Sequence, residues 1–304
     1  MTTSKFTAER IGEWGTPVAS TTDGYGEERL TMADGANLFF RAWKSPDAHA
    51  PTLALIHGLG AHSGWFVDMG NELHNKGLTV YAVDHRGFGR SDGPRAHTRK
   101  GSVYIDDMTA WLAEVKRRQP QSPLFVLGHS MGGIFSLFVA AADARRSSPL
   151  LSGLILMNPW IDNQSNPSLP TVLGLVFDGM RGSERRFKGA GGSETMTFNP
   201  EATQFLDADT FWVRDQSAAF LYQISRLRLA TIGKAKEVRV PALVIQCGQD
   251  KAVKPAATRR AFEALGSADK TWQTYPTFAH DCEFEPERAV LDDDIAAWVK
   301  SHSA

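Results

Sequence analysis

The most informative segment of this 304-residue sequence is Pro123-Leu124-Phe125-Val126-Leu127-Gly128-His129-Ser130-Met131-Gly132-Gly133-Ile134. A short apolar run leads directly into Gly-x-Ser-x-Gly, which is followed by an apolar helical pattern. This order predicts a buried strand, a sharp turn with Ser130 at its tip, and a helix. Glycine at positions 128 and 132 gives the backbone room to cross at such a turn. We therefore expect the Ser130 hydroxyl to point away from the end of a strand, as a nucleophile must.

A serine hydroxyl becomes an effective nucleophile when an imidazole takes its proton and a carboxylate orients that imidazole. With a strand–turn–helix motif of this kind, the acid and the histidine follow the serine in that order, each on a loop after a strand. Asp250 and His280 directly follow the last two strand-like runs of the chain. The only other histidine after the serine, His302, lies close to the C-terminus, beyond the last predicted helix. The sequence thus predicts Ser130 as nucleophile, His280 as base and Asp250 as orienting acid.

Acyl transfer also requires N–H donors directed at the oxyanion of the tetrahedral intermediate. We expect one donor to be the backbone N–H of the residue after the nucleophile, Met131. The loop after the third strand, Ile56-His57-Gly58-Leu59-Gly60, is the expected source of the second, and Leu59 is the predicted donor. A glycine-rich turn without a catalytic role is the alternative for this loop.

Outside these motifs, apolar runs alternate with helical patterns, which predicts a mostly parallel α/β sheet with helices on both faces. Strands are predicted at Thr52–Ile56, Leu78–Val83, Leu124–Leu127, Leu154–Met157, Ala242–Cys247 and Thr271–Tyr275, and helices at Trp65–Lys76, Val103–Arg118, Met131–Ala144, Pro255–Leu265 and Pro286–Lys300. The runs Arg29–Met32 and Asn37–Trp43 flank the turn Ala33-Asp34-Gly35-Ala36 and predict a β-hairpin. An N-terminal arm to about Glu28 precedes that hairpin.

The strand–helix alternation stops between about Trp160 and Lys236, where helical patterns and a glycine-rich stretch from Gly179 to Gly192 indicate an insertion without a clear buried strand. Apolar residues within it recur at helical spacing and share one helix face. These residues are Leu169, Val172, Leu173, Val176, Phe177 and Met180. We expect that face to cover an apolar part of the protein.

The composition excludes several classes of function. Lys and Arg total 33 against 34 Asp and Glu, so the chain has no basic field for nucleic acid. Because it contains no apolar run typical of a signal peptide or a membrane span, we expect a soluble cytoplasmic protein that acts on a small molecule. Cys247 and Cys282 show no metal-binding spacing, so we expect no metal site. Without a secretion signal, a reducing compartment favours free thiols at both positions.

Together these motifs resemble the monoacylglycerol lipase and lysophospholipase branch of the α/β-hydrolases. The resemblance extends from about Glu28 to Val299 and is carried by His57–Gly64, Asp84–Gly93, Gly128–Gly133, Gly248–Asp250 and Tyr275–His280. It implies an eight-stranded, mostly parallel sheet with a helical cap inserted after the sixth strand. It also implies hydrolysis of monoacyl lipids or similar carboxylic esters through an acyl-serine intermediate, without a cofactor.

On this interpretation, residues 1–28 form the arm, residues 29–161 and 237–304 the hydrolase core, and residues 162–236 the cap. The Asp84–Gly93 stretch is interpreted as scaffold near the site. Four aromatic residues of the cap either line an acyl or aryl pocket or pack the cap on the core, and the sequence leaves both open: Phe211, Trp212, Phe220 and Tyr222.

The same serine–histidine–aspartate arrangement also serves thioesterases, peptidases, carbon–carbon hydrolases and perhydrolases. These chemistries remain alternatives to ester hydrolysis. A non-catalytic, ligand-binding member of the fold is disfavoured, because such a protein would be expected to lose a triad residue or an elbow glycine.

Overall fold

The computed structural model describes residues 23–164, 167–189 and 192–303. Its central sheet has eight strands in the spatial order β1-β2-β4-β3-β5-β6-β9-β10. These are β1 (Tyr25–Thr31), β2 (Asn37–Trp43), β3 (Thr52–Ile56), β4 (Thr79–Val83), β5 (Leu124–His129), β6 (Leu151–Met157), β9 (Ala242–Cys247) and β10 (Lys270–Tyr275). The pairs β1–β2 and β2–β4 are antiparallel, and every other neighbouring pair is parallel. The expected α/β-hydrolase architecture is thereby confirmed.

Helices cover both faces of this sheet because its central strands are buried on both sides. The nine helices of the described residues are α1 (Val67–Asn75), α2 (Ser102–Arg118), α3 (Met131–Asp143), α4 (Leu169–Met180), α5 (Ser193–Met196), α6 (Pro200–Ala208), α7 (Ala218–Ala235), α8 (Pro255–Ala264) and α9 (Ala289–Ser301). Side chains of α2, α3 and α7 join one apolar core, and side chains of α1 and α9 join the core on the opposite face. No described helix is long and apolar enough to cross a membrane.

The elements β1, β6 and α9 begin at residues other than those predicted from the sequence. Strand β1 begins at Tyr25, so the arm predicted to end near Glu28 overlaps the sheet, and the remainder of that arm, residues 1–22, lies outside the described residues. The C-terminal helix begins at Ala289 rather than Pro286. Strand β6 begins at Leu151, three residues before the predicted start, because pairing with β5 continues past Gly153.

The segment between β6 and β9 contains α4 to α7 and two short strands, β7 (Arg186–Lys188) and β8 (Asp215–Ser217). These strands pair antiparallel to form a small separate sheet. The expectation that the insertion has no buried strand was therefore wrong, because Gln216 and Ser217 of β8 are buried. Only three residues long, these strands have too little hydrophobic pattern to be recognised from sequence.

Helix α4 corrects a second expectation about the insertion. Its apolar residues share one face as predicted, but that face is exposed to solvent: Leu169 and Met180 are each 69% exposed and Phe177 is 55% exposed. The helix contacts α7 through Gly179, where a Cβ atom would lie 2.3 Å from Cβ of Tyr222. Because Gly179 has no side chain, α7 can pack closely against this side of α4. The side of α4 that bears Gly179 therefore faces the protein, and the apolar face points toward solvent.

Candidate active site

Ser130 lies at the turn between β5 and α3 with φ 52° and ψ −115°, a left-handed conformation that is strained for a residue with a side chain. The flanking glycines make this turn possible. A Cβ atom on Gly132 would lie 2.2 Å from the carbonyl oxygen of Ile56, and one on Gly128 would lie 2.4 Å from the carbonyl oxygen of Gly132. The strand–turn–helix arrangement predicted from Gly-x-Ser-x-Gly is present in the structure.

The three predicted catalytic side chains form one hydrogen-bonded series. His280 Nε2 lies 3.0 Å from Ser130 Oγ, and His280 Nδ1 lies 2.7 Å from Asp250 Oδ2. Asp250 follows β9 and His280 follows β10, and both strands run parallel to β5 and β6, so the loops meet at the carboxyl edge of the sheet. All three residues are buried. The structure thus brings together residues that are up to 150 positions apart in the sequence.

Asp250 is held in the charged form that can orient His280. Its Oδ1 accepts hydrogen bonds from the backbone N–H groups of Ala252, at 2.8 Å, and Val253, at 3.0 Å. Burial alone would raise the pKa of Asp250, but the His280 imidazole and these N–H donors lower it below its ordinary value. One oxygen of the Asp250 carboxylate is thus fixed by backbone donors, and the other accepts a hydrogen bond from His280 Nδ1–H. This arrangement holds His280 in the tautomer that carries its proton on Nδ1.

His280 is a stronger base than a free histidine. Burial lowers its pKa, but the charge of Asp250 and the hydrogen bond to it, together with Asp281 and Glu283, raise the pKa to about 9. Its carbonyl oxygen lies 2.6 Å from the Asn158 Nδ2 donor, which fixes the backbone of the loop. The site therefore favours the imidazolium that forms when a serine proton is transferred.

The backbone N–H groups of Leu59 and Met131 both lie beside Ser130. Met131 is the first residue of α3, and a Cβ atom on Gly58 would approach Ser130 Cβ to 3.1 Å, so the Leu59 loop abuts Ser130. Within the described part of the chain, neither N–H donates a hydrogen bond to another protein group. Both N–H groups are thus unengaged, and their role as oxyanion donors stays a prediction.

The Asp84–Gly93 stretch has the supporting position expected of it. The Asp84 carboxylate accepts from the backbone N–H groups of Ser63, at 2.6 Å, and Arg90, at 2.7 Å. A Cβ atom on Gly89 would lie 2.1 Å from Asp84 Oδ2, so this position excludes any larger residue. These contacts tie the stretch to the loop that follows β3.

A hydrogen-bonded group that the sequence analysis missed connects the inserted segment to the same loop. Asp209 Oδ2 accepts from His62 Nε2 and from Trp65 Nε1, each at 2.8 Å, and the Val213 N–H donates to Gly60 O at 2.9 Å. His62 belongs to the quoted His57–Gly64 motif, but nothing in the local sequence distinguishes Asp209 from a surface aspartate. The pair becomes visible only when residues 147 positions apart meet.

The four aromatic residues of the insertion occupy two kinds of position. Phe220 is fully buried with its ring 5.6 Å from Phe88, and Tyr222 packs on α4, so these two pack the insertion against other parts of the protein. Phe211 lies 6.0 Å from the His62 ring, and the Trp212 indole approaches Gly60 closely. Only Phe211 and Trp212 lie beside the Leu59 loop.

Among the described residues, one group of side chains offers potential metal-binding atoms, and it overlaps the triad. Atoms of His129, His280 and Asp281 lie within 4.8 Å of one another. Both ring nitrogens of His280 are already hydrogen-bonded, to Asp250 and Ser130, so an ion there would break the triad. We assign no metal site to this group.

Cys247 and Cys282 are buried free thiols.

Comparison with known proteins agrees with this architecture. The family model described as serine aminopeptidase, S33, matches residues 47–287. Rat monoglyceride lipase is 36% identical to the chain over 90% of each sequence, and monoacylglycerol lipase of Mycolicibacterium smegmatis is 26% identical over 91% of this chain and 97% of its own. A soluble variant of Saccharomyces cerevisiae monoglyceride lipase, solved with a substrate analogue, superposes with a TM-score of 0.81 at 20% identity, covering 93% of this chain and 97% of its own.

The chain therefore belongs to the serine aminopeptidase S33 family of α/β-hydrolases. Within that family it is an ester hydrolase of the monoglyceride lipase-like branch.

Proposed function

We propose that this enzyme hydrolyses small monoacyl carboxylic esters, of the monoacylglycerol or lysophospholipid class, with Ser130 as nucleophile, His280 as base and Asp250 as orienting acid. The observation that carries the proposal is the hydrogen-bonded series from Ser130 through His280 to Asp250, beside the unengaged N–H groups of Leu59 and Met131.

The geometry supports a two-step reaction. Ser130 Oγ attacks the ester carbonyl carbon while its proton passes to His280 Nε2, and the carbonyl oxygen becomes an oxyanion bound by Leu59 and Met131 N–H. The intermediate collapses, the carbon–oxygen bond to the alcohol breaks, and His280 returns the proton to the leaving alcohol. Water then attacks the acyl-serine, giving its proton to His280, and the carboxylic acid leaves as Ser130 recovers its proton.

Two observations favour a monoacyl lipid as substrate. Curated relatives that span nine-tenths of this chain are named monoglyceride and monoacylglycerol lipases. In addition, α4 exposes a contiguous apolar face, and exposed faces of this kind mark contact with apolar molecules or surfaces. We interpret residues 162–236 as a cap over the core at residues 29–161 and 237–304, with Phe211 and Trp212 as candidate lining residues.

Peptide hydrolysis is the second candidate, because the matching family model carries the description serine aminopeptidase. The same triad would cleave an amide, so the substrate must be decided by measurement. We expect medium-chain monoesters to be turned over faster than both aminoacyl nitroanilides and emulsified triacylglycerols, because a cap restricts entry to one slender chain. A preference for aminoacyl nitroanilides would replace the ester assignment.

Labelling with a fluorophosphonate probe tests the catalytic roles directly. We expect the wild-type protein to be labelled once, at Ser130, and Ser130→Ala to lose both labelling and nearly all esterase activity while keeping its fold. Labelling that persists in Ser130→Ala would show that another residue is the nucleophile. A cytoplasmic location stays a prediction that cell fractionation would test.

A further inference from the structure

A second buried imidazole lies beside His280. The ring centroids of His129 and His280 are 4.9 Å apart. His129 Nε2 lies 3.5 Å from Asp281 Oδ1, and His129 Nδ1 lies 3.7 Å from Glu283 Oε1. The side chains of His129, Asp281 and Glu283 are at most 3% exposed. One carboxyl group therefore flanks each nitrogen of an imidazole that is next to the proposed base.

The polar atoms of this group are incompletely paired. Within the described residues, Asp281 Oδ2, both carboxyl oxygens of Glu283 and His129 Nδ1 are buried without a hydrogen-bond partner. Burial, together with mutual repulsion, raises the pKa of Asp281 to about 7, and burial raises that of Glu283 to about 7. Burial lowers the pKa of His129 to about 4, so His129 stays neutral and does not offset their charge. Unpaired buried carboxyl groups are costly for folding, and such costs concentrate at functional sites.

The loop that bears these acids is otherwise well anchored. The Asp281 N–H donates to Met196 O at 2.8 Å. Glu285 Oε1 accepts from the Thr197 hydroxyl and the Phe198 N–H, so this third acid has partners where Glu283 has none. Glu283 and Glu285 lie on one short loop, yet the loop leaves both oxygens of Glu283 and one oxygen of Asp281 without a hydrogen-bond partner next to His280.

The charges of Asp281 and Glu283, like that of Asp250, raise the pKa of His280. Negative charge near an imidazole favours its protonated form. Charged and titratable groups on the surrounding elements affect the pKa values of His280, Asp281 and Glu283. These groups are Asp250 after β9, His129 at the end of β5, Asp281, Glu283 and Glu285 on the loop after β10, and Arg288 before α9. Burial raises the pKa of Glu283, and the charge of Arg288 acts against that rise, so Arg288 favours the ionised form of Glu283. The Arg288 guanidinium is also ion-paired with Asp292 at 2.8 Å.

We propose that Asp281 and Glu283 are positioning residues for the hydrolytic reaction: with His129 between them, their carboxylates stabilise the imidazolium of His280 as it takes the proton of Ser130. The inference rests on the proposed roles of Ser130 and His280. It gives the histidine a second source of negative charge beside Asp250, one that is present only when the two acids are ionised.

Replacing the acids with amides of the same shape tests this role. For Asp281→Asn, Glu283→Gln and the double variant, kcat/KM for a soluble monoester and the rate of fluorophosphonate labelling are measured from pH 5 to 10. We expect the acid limb of both profiles to move to lower pH by about 0.5 to 1 unit in each single variant and further in the double variant. The plateau rate should fall about 3- to 10-fold, because a weaker base accepts the serine proton less readily.

Asp292→Asn is the matched control. Asp292 is also a buried acid with an unpaired oxygen and a pKa that burial raises, but the charges that influence it are those of Arg288, Glu72, Lys76 and Asp293. This variant should leave the acid limb in place. A purely structural role of Asp281 and Glu283 would lower the plateau without moving the limb, and that result would overturn the inference.

A measurement on the wild-type protein keeps the inference testable should the double variant not fold. The downfield proton resonance of His280 Nδ1–H should shift in two steps with pH, one from His280 itself and one from the adjacent acids; a single step would overturn the inference. Absence of fluorophosphonate labelling in the wild-type protein would defeat the proposed function, whereas an unmoved acid limb in a reactive, folded double variant defeats only the role of Asp281 and Glu283.

Discussion

Two aspartate–histidine pairs among the described residues are buried and nearly equal in length, one at the carboxyl edge of the sheet and one between the loop after β3 and the inserted segment. His280 Nδ1 lies 2.7 Å from Asp250, and its Nε2 lies 3.0 Å from Ser130 Oγ. His62 Nε2 lies 2.8 Å from Asp209, and its Nδ1 accepts a hydrogen bond from the Gly64 N–H. The second ring nitrogen makes the difference: it faces a hydroxyl in the core pair and a backbone amide in the other.

An aspartate–histidine pair is therefore not by itself evidence of catalysis. In the core pair the carboxylate fixes a tautomer whose unprotonated nitrogen, Nε2, faces the Ser130 hydroxyl and can accept its proton. In the second pair both nitrogens are engaged by structural partners, so the imidazole serves as a link from Asp209 to the Leu59 loop.

The largest effect is expected for Asp250→Asn. Because Asp250 Oδ1 accepts two backbone N–H groups, the amide oxygen will keep that position and the amide NH₂ will face His280 Nδ1. The histidine is then held in the tautomer whose Nε2 carries a proton, and it cannot accept one from Ser130. We expect kcat/KM to fall by about 10⁴ with little change in thermal stability. Retention of more than a tenth of the activity would contradict the assigned role of Asp250.

Asp209→Asn should have an intermediate effect. Asp209 Oδ2 accepts from two side chains and Oδ1 accepts from the Phe211 N–H at 2.8 Å, so an amide necessarily places a donor against a donor. We expect kcat/KM to fall about 10- to 100-fold because the Leu59 donor is displaced. Stability should fall by about 1 to 3 kcal/mol. Fluorophosphonate labelling should be slowed but not lost, and a loss as large as that of Asp250→Asn would erase the distinction between the pairs.

The pH dependence gives a third comparison. His280 must be unprotonated to accept the serine proton, so kcat/KM should fall about tenfold for each pH unit below its pKa. That pKa is raised, chiefly by Asp250 acting against burial, and the acid limb should therefore lie above pH 6.5. In Asp250→Asn the residual activity should have its acid limb at lower pH, whereas Asp209→Asn should leave the limb where it is. The measurement is the kcat/KM profile of each protein.

The smallest effect is expected on the exposed face of α4. Phe177 is 55% exposed, so Phe177→Ser should change the free energy of unfolding by less than about 0.5 kcal/mol. Phe220 is fully buried against Phe88 and Tyr104, and Phe220→Ala should cost about 3 to 5 kcal/mol. Denaturant unfolding of both variants measures the difference. A large loss in Phe177→Ser would mean that the apolar face is covered in solution.

The sheet and the candidate triad could both be predicted from local patterns in the sequence. Unbroken apolar runs such as Leu53–Ile56 can be satisfied only by burial on both faces, and Gly128 and Gly132 allow the chain to make the strained turn at Ser130. The order of serine, aspartate and histidine along a parallel sheet then limited the partners to Asp250 and His280. Each of these expectations depends on a local pattern or on the fixed direction of parallel strands, and the structure brings the three side chains into hydrogen-bonding contact.

Three features depend on the folded chain and could not be predicted from sequence: the orientation of α4, the pairing of Asp209 with His62, and the placement of Asp281 and Glu283 around His129. The periodicity of α4 shows that its apolar residues share a face, but close packing at Gly179 determined which side faces the protein. An aspartate or glutamate carries no local mark of burial, because its environment is created by residues far away in the chain. Which acids are paired, and which remain unpaired beside the base, is therefore a property of the folded protein alone.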